Sequence, residues 1–231
     1  MQGLLLVDKP TDWTSFDVVN YVRGTIARSL GVKPKSIKVG HIGTLDPLAT
    51  GLLVLLIGQN YTRRASELSQ LDKVYEVTMN LGFISSTGDD EGEKQPVSNR
   101  EPEMIEITKS LKLYTGDLKQ VPPAFSAIKV QGQRAYKLAR AGQVVELEPR
   151  SIKIYSNKLK GYVYPKVEFT SSVSSGTYIR ALVEDVGKEL GTGAYMSELR
   201  RTSIGQFLLK NALPVQNLSA DLIAASLQSL D

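Results

Sequence analysis

The chain has 231 residues, with no cysteine, one histidine, and 28 Lys and Arg against 24 Asp and Glu, which gives a net charge of +4. These counts exclude disulfides, thiolate catalysis and cysteine metal ligands. A zinc or iron site would need mostly carboxylate ligands, so we expect no metal. A hydrophobic fraction of 42% is that of an ordinary soluble globular protein. The mild basic excess permits an acidic partner such as RNA without requiring one.

The apolar runs are short. The first, residues 4–7, ends at Asp8 and Lys9 and is too short for the core of a signal peptide. No later run approaches the roughly 18 apolar residues that a membrane-spanning helix needs. We therefore predict a cytoplasmic protein with no membrane partner.

The first predicted elements are a strand and a helix. Residues 3–8, GLLLVD, predict a short buried strand, and residues 14–30 predict a helix. Thr14 or Ser15 is expected to cap this helix, with Asp17 in its first turn. Four apolar residues fall on one helix face, at the spacing that predicts burial: Val18, Val19, Val22 and Ile26.

Two strands and an acidic loop are predicted next. Residues 51–58, GLLVLLIG, contain an unbroken apolar run and predict a strand buried on both faces. Residues 73–83, KVYEVTMNLGF, alternate in period two and predict another strand. Residues 86–99, STGDDEGEKQPVSN, are acidic and contain glycine and proline, which is typical of a loop.

The remaining elements complete a mixed pattern. They are a helix at 103–113, a hairpin at 126–136 turning at Gln131–Gly132, a pair of strands within 150–173, and a helix at 178–191 ending at Gly191. Strands and helices alternate without a regular βαβ order. This indicates an α+β fold with a mixed, mostly antiparallel central sheet and flanking helices. No linker marks a boundary, so we expect a single domain over residues 1–231.

The loop GHIGTLDPLATG, residues 40–51, contains the single histidine, His41, and one carboxylate, Asp46. Pro47 restricts Asp46 to extended conformations, which presents the carboxylate in few poses. Asp-Pro also opens many ordinary turns, so this loop alone does not establish catalysis.

Further segments make the pattern specific. They are GLLLVDKPTDWTSFDVV, KVYEVTMNLG, STGDDEG, VPPAFSAIKVQGQRAYKLARAG, SSGTYIRALVEDVGKELG and LRRTSIGQF. Together with GHIGTLDPLATG they run in order from residue 3 to about residue 207. In this order they resemble the motifs of the TruB family of tRNA pseudouridine synthases. Three positions differ from the usual family pattern: Asp12 replaces glycine, Ile42 replaces threonine and Ser175 replaces lysine.

The resemblance implies a set of catalytic residues. Asp46 matches the family nucleophile, and Arg180 matches the arginine that pairs with it and keeps it ionised. Tyr75 matches the tyrosine that stacks on the target uracil and accepts the proton from C5. Tyr178 and Leu199 match residues that line the pocket. The isomerisation needs no metal or other cofactor, and attack on the sugar and attack on the base both stay open.

The resemblance also implies the RNA contacts. His41 matches the loop histidine that fills the space of the extruded base. Basic residues beside the motifs are expected to meet phosphates: Lys9, Lys38, Lys73, Lys129, Arg134, Arg140, and at least one of Arg200 and Arg201. The expected substrate is uridine 55 in the T arm of tRNA, bound by a monomer. The C-terminal PUA RNA-binding module of many family members is expected to be absent.

Two other functions remain as alternatives. A glycoside hydrolase can also use an aspartate nucleophile, but it normally needs a second carboxylate across the bond, and the 38–58 segment offers none. A catalytically inactive RNA-binding protein or tRNA chaperone on the same scaffold would not require Asp46, Tyr75 and Arg180 together.

Overall fold

The structure, a computed structural model, describes residues 1–126, 128–130 and 132–230. The strands are β1 (Gly3–Lys9), β2 (Val39–Ile42), β3 (Thr50–Ile57), β4 (Lys73–Leu81), β5 (Phe83–Ser85), β6 (Lys94–Pro96), β7 (Gly116–Gln120), β8 (Lys129–Val130), β9 (Gln133–Arg134), β10 (Arg150–Val163), β11 (Lys166–Val173), β12 (Ala194–Ile204), β13 (Phe207–Leu208) and β14 (Leu213–Pro214). The helices are α1 (Ser15–Ser29), α2 (Gln59–Thr62), α3 (Ala65–Leu68), α4 (Met104–Leu113), α5 (Ala135–Arg140), α6 (Ile179–Glu189) and α7 (Ala220–Ala225).

The chain forms two compact units. The first comprises Met1–Tyr75 and the segment from Leu199 onward, and the second comprises Glu76–Glu198. Strands β4 and β12 therefore contribute residues to both units. In the part of the chain that the structure describes, no helix has both the length and the apolar composition to cross a membrane.

The first unit is built around β3. It pairs antiparallel with β1 and β2 and parallel with β12, while β14 pairs parallel with β1. The side chains of β3 alternate between two cores. Leu53, Leu55 and Ile57 pack on the α1 side, and Leu52, Val54 and Leu56 pack on the opposite side with Phe207. The predicted burial of this strand on both faces is confirmed.

Helix α1 begins as the sequence predicts. Thr14 is the N-cap, its Oγ1 accepts from the Asp17 backbone N–H at 3.1 Å, and the Asp17 carboxylate accepts from the Thr14 N–H at 2.8 Å. This reciprocal capping box satisfies donors that a helix start leaves unpaired. All four residues of the predicted apolar face are buried: Val18, Val19, Val22 and Ile26.

The second unit is organised by a long hairpin. Strand β10 pairs antiparallel with β11 on one side and with β7 on the other, and β11 neighbours β4. Apolar side chains of the hairpin are buried, among them Ile152, Ile154, Val167, Phe169 and Val173. Parallel and antiparallel pairs therefore occur together, and the α+β prediction with a mixed, mostly antiparallel sheet is confirmed.

Some elements differ from the sequence-based expectation. Residues 94–96 of the predicted loop form β6, which pairs with β5. Strand β12 was not predicted, because its charged Arg200 and Arg201 interrupt the apolar pattern. Strands β8 and β9 form the predicted hairpin, but Gln131 of its expected turn lies outside the described residues.

Candidate active site

The backbone around Asp46 is fixed by neighbouring residues. Ser15 Oγ accepts from the Leu45 N–H at 2.8 Å and donates to the Leu45 carbonyl at 3.0 Å, in a buried position. The Asp46 carbonyl accepts from the Ala49 N–H at 3.1 Å, which closes a turn. Because the peptide groups on both sides of the carboxylate are bound, Asp46 has little backbone freedom.

The next residue of the loop, Pro47, is held from the N-terminal segment. Its carbonyl accepts from the Asp12 N–H at 3.0 Å and from Lys9 Nζ at 3.2 Å. Asp12 adopts φ of +64°, a left-handed conformation that aspartate tolerates better than most residues other than glycine. Lys9 Nζ also donates to the Trp13 carbonyl at 2.5 Å and the Pro10 carbonyl at 2.9 Å.

Lys9 occupies a different place from the one expected of a phosphate contact. Its side chain is 0% exposed, and its ammonium is saturated by three carbonyl oxygens. Burial lowers the pKa of Lys9 to about 8, and the nearby charge of Asp46 opposes this shift. A phosphate-binding lysine keeps its ammonium in solvent, whereas the Lys9 ammonium stabilises the loop beside Asp46 through its bond to the Pro47 carbonyl.

Arg201 is likewise internal, which leaves Arg200 as the candidate RNA contact of the two arginines. Its side chain is 1% exposed, with Nε donating to the Leu52 carbonyl and Nη2 to the Gly43 carbonyl, both at 2.8 Å. Gly43 has φ of +68°, a conformation that favours glycine. Arg201 is therefore tied to the protein at both ends of the loop and is not available to a phosphate.

Strand β4 presents Tyr75 and Lys73 from the same unit. Both side chains are buried, and Tyr75 interacts with the Arg201 guanidinium. Lys73 Nζ donates to the Ser69 carbonyl at 2.7 Å and the Leu71 carbonyl at 2.5 Å. Burial and the neighbouring Arg201 lower the pKa of Lys73 to about 8.

The buried charge of Lys73 predicts a pH dependence of stability. The pKa falls from 10.5 to about 8 on folding, so between these values the unfolded chain binds more protons and stability rises with pH. The quantity to compare is the difference in free energy of unfolding between the wild-type protein and Lys73→Met. We expect this difference, wild type minus variant, to increase from pH 8 to 10 by up to about 1.4 kcal/mol per pH unit. Urea unfolding at several pH values measures it. The exposed Lys166→Met serves as control, and a flat difference for Lys73→Met would contradict a buried ammonium.

His41 lies on β2 and is half-buried. Its Nδ1 has no hydrogen-bond partner among the described residues, and burial and the charge of Arg201 lower its pKa. The imidazole is therefore neutral near pH 7, which fits a role in filling space rather than in binding a phosphate.

Leu199 and Arg200, two further predicted residues of the first unit, differ in exposure. Leu199 is buried, and its carbonyl accepts from Thr50 Oγ1 at 3.5 Å. Arg200 keeps 40% of its side chain exposed while Nη2 pairs with Asp8 Oδ2 at 2.7 Å and Nη1 donates to Thr50 Oγ1 at 3.2 Å. Arg200, unlike Arg201, is accessible to solvent.

Arg180 in the second unit is deeply buried, at 6% exposure. Nη1 donates to the Thr87 carbonyl at 3.1 Å and lies 3.5 Å from Asp89 Oδ2, and Nη2 donates to the Phe125 carbonyl at 2.8 Å. Burial raises the pKa of the neighbouring Glu184, and Arg180 opposes that shift. Asp89 was not predicted as a partner, although it lies in the STGDDEG motif. The expected Arg180–Asp46 pair joins residues of different units and stays a prediction.

Tyr178 and Arg140 are two further predicted residues of the second unit. Gln120 binds the Tyr178 backbone twice, accepting from its N–H at 2.8 Å and donating to its carbonyl at 3.0 Å. Arg140 is exposed at the end of α5, with its guanidinium 5.8 Å from the Tyr136 ring centre. Among residues 1–126, 128–130 and 132–230, no cluster of His, Cys, Asp or Glu is suited to hold a metal ion.

Comparison with protein families agrees with the motif order. Residues 28–179 match the family model described as the N-terminal domain of TruB family pseudouridylate synthases. The chain belongs to the TruB family. Residues 180–230 also match the model described as the tRNA pseudouridylate synthase B C-terminal domain. The pseudouridine synthase resemblance predicted from the sequence is thereby confirmed.

Curated relatives extend the match over nearly the whole chain. The protein named tRNA pseudouridine synthase B from Protochlamydia amoebophila is 43% identical over 229 residues, covering 96% of this chain and 84% of that protein. The protein of the same name from Stutzerimonas stutzeri is 41% identical, covering 100% of this chain and 75% of its own length.

Among solved structures, the fold resembles a chain of a Cbf5-Nop10-Gar1 complex. The TM-score is 0.69 at 29% identity, and the match covers 94% of this chain. The chain spans about half of that protein, 53% of its length. The likeness therefore concerns one part of the larger protein.

Proposed function

We propose that the chain is a tRNA pseudouridine synthase, a single catalytic domain that isomerises uridine 55 in the T loop of tRNA. The observation that carries the proposal is the presentation of Asp46. Its loop lies within the family motifs, and the peptide groups of Leu45, Asp46 and Pro47 are all hydrogen-bonded. The names of the curated relatives support the substrate class. Such preorganisation suits a nucleophile, which must be held near the reacting atom.

The reaction is balanced within the substrate. The C1′–N1 bond of uridine breaks, the uracil turns, and a C1′–C5 bond forms, while C5 loses a proton and N1 gains one. No electrons are exchanged with an outside group, so a carboxylate nucleophile and a proton acceptor are sufficient. Asp46 supplies the nucleophile, on either the sugar or the base.

The other residues take the roles that the family motifs imply. Tyr75 stacks on the uracil and accepts the C5 proton. Arg180 keeps Asp46 ionised when water is excluded, because an opposite charge favours the ionised form of a carboxylate. Tyr178 and Leu199 line the base pocket.

RNA binding uses a separate group of side chains. His41 occupies the space of the extruded base, and a neutral imidazole stacks without the cost of burying a charge. The exposed guanidinium groups of Arg140 and Arg200 meet phosphates. The protein acts as a monomer in the cytoplasm.

A direct assay tests the function. The protein is incubated with unmodified tRNA, and pseudouridine is located by chemical labelling and mass spectrometry. We expect a single modified position, uridine 55. Released uracil would indicate a glycoside hydrolase instead, and unchanged but bound RNA would indicate a non-catalytic RNA-binding protein.

The substrate arm is tested with a T-arm stem-loop. Proteins recognise the splayed bases of folded RNA loops, so we expect the stem-loop to be modified with kcat/KM within about a hundredfold of whole tRNA. Binding should weaken steeply as salt rises, because phosphate contacts release counterions. A larger preference for whole tRNA at fixed ionic strength would place essential contacts outside the T arm.

A further inference from the structure

Arg201 holds both ends of the catalytic loop. Its guanidinium bonds the carbonyls of Gly43, before Asp46, and Leu52, after it. A buried guanidinium is unfavourable unless its donors are bonded, and the two carbonyl oxygens provide such bonds for Arg201. A planar group with five donors can bridge two carbonyls in a fixed direction, which a lysine ammonium does less well.

The close packing of two glycines shows how tightly the loop rests on Arg201. A Cβ at Gly51 would lie 2.4 Å from the Arg201 carbonyl oxygen, where β12 pairs parallel with β3. A Cβ at Gly43 would lie 3.0 Å from Arg201 Nη1. Backbone and side chain of one residue thus fix the two ends of the segment that carries Asp46.

The same guanidinium reaches Tyr75. Strands β4 and β12 are neighbours, and the contact of Thr202 Oγ1 with the Val74 carbonyl at 3.3 Å marks their register, which places Arg201 beside Tyr75. Lys73 and Tyr75 are two residues apart on β4, so their side chains lie on the same face of the strand. Lys73 Cε lies 3.7 Å from the same Gly43 Cβ position that faces Arg201. The Tyr75 side chain also favours the charged form of the guanidinium, which opposes the lowering of the Arg201 pKa by burial.

We propose that Arg201 is a positioning residue that couples the Asp46 loop to Tyr75, so that the nucleophile and the tyrosine meet one uridine at a fixed separation. The inference rests on the proposed function, because it assigns Arg201 a part in the same isomerisation. Arg201 itself contacts neither RNA nor the reacting atoms. Its loss displaces two groups at once, and a small misplacement of reacting groups lowers the rate by about a hundredfold.

The test is a double-mutant cycle under single-turnover conditions with tRNA. We expect Arg201→Met to lower the rate of pseudouridine formation by about a hundredfold, while the Kd for tRNA changes less than about threefold. Tyr75→Phe removes the hydroxyl that Arg201 engages. If the two act as one unit, the double variant is no more than about threefold slower than the slower single variant.

Thr202→Val is the matched control. It lies next to Arg201 on the same strand, keeps the side-chain shape and removes only the contact to Val74. We expect its rate and Kd to equal those of the wild-type protein. If Arg201 only stabilised the strand pair, Thr202→Val would share its defect, and the penalties of Arg201→Met and Tyr75→Phe would multiply.

Two further variants serve if Arg201→Met does not fold. Arg201→Lys keeps the charge but loses the planar fork, and we expect an intermediate rate. Gly43→Ala drives a Cβ against Nη1 and is expected to slow the reaction at unchanged Kd. A wild-type rate in folded Arg201→Lys and Gly43→Ala would overturn the inference. If the wild-type protein itself forms no pseudouridine, the proposed function fails first and the inference falls with it.

Discussion

Replacing Asp46 by asparagine is expected to reduce the turnover of tRNA by about four orders of magnitude or more, as losses of covalent nucleophiles do. The amide keeps the shape of the side chain but is not a nucleophile. The loop bonds are made by the backbone of Leu45, Asp46 and Pro47, so the fold and the affinity for tRNA should stay close to those of the wild-type protein. Single-turnover pseudouridine formation and filter binding measure the two quantities.

Asp12→Asn provides the matched control for Asp46. It makes the same chemical change in the segment that packs on the loop, and asparagine tolerates the φ of +64° found there. Its turnover should be unchanged. Near-normal activity in a sequence-verified Asp46→Asn protein would remove Asp46 from the role of nucleophile.

Replacing Arg180 by methionine should have the second largest effect. The change removes both carbonyl bonds and the ion-pair partner of the buried Asp89, whose other contacts come from the Thr87 hydroxyl and the Glu91 N–H. Breaking a buried ion pair on one side costs about 3–5 kcal/mol, so the urea midpoint should fall clearly. If Arg180 also keeps Asp46 ionised, the acidic limb of the pH–rate profile moves to higher pH, because more alkaline solution is then needed to deprotonate the carboxylate.

A second substitution separates these two effects. The double variant Arg180→Met/Asp89→Asn no longer contains the buried carboxylate that has lost its ion-pair partner. We therefore expect part of the stability lost in Arg180→Met to return, while the reduced rate and the shifted acidic limb stay as in Arg180→Met. Recovery of the rate along with stability would mean that Arg180 acts only through the fold. An unchanged acidic limb in both proteins would show that Arg180 does not support Asp46.

Hydrophobic periodicity and helix-capping rules were sufficient to predict most of the main strands and helices. The apolar alternation of β3, the Thr14–Asp17 capping box of α1 and the alternation of β4 are local properties, and each is present in the structure. Strand β12 was not predicted, because two adjacent arginines in a sequence usually indicate a solvent-exposed segment. Only one of them faces solvent.

The sequence by itself determined the family, the order of the motifs and the identity of the carboxylate in the central loop, since these depend on residue types at set spacings. Tertiary structure decided what the basic residues do. The sequence predicts Lys9 and Lys73 as phosphate contacts and Arg201 as one of two candidates with Arg200, yet all three side chains are buried and donate to backbone carbonyls. A cation's role follows from the acceptors within about 3 Å of its nitrogens, and residues distant along the chain bring many of those acceptors there.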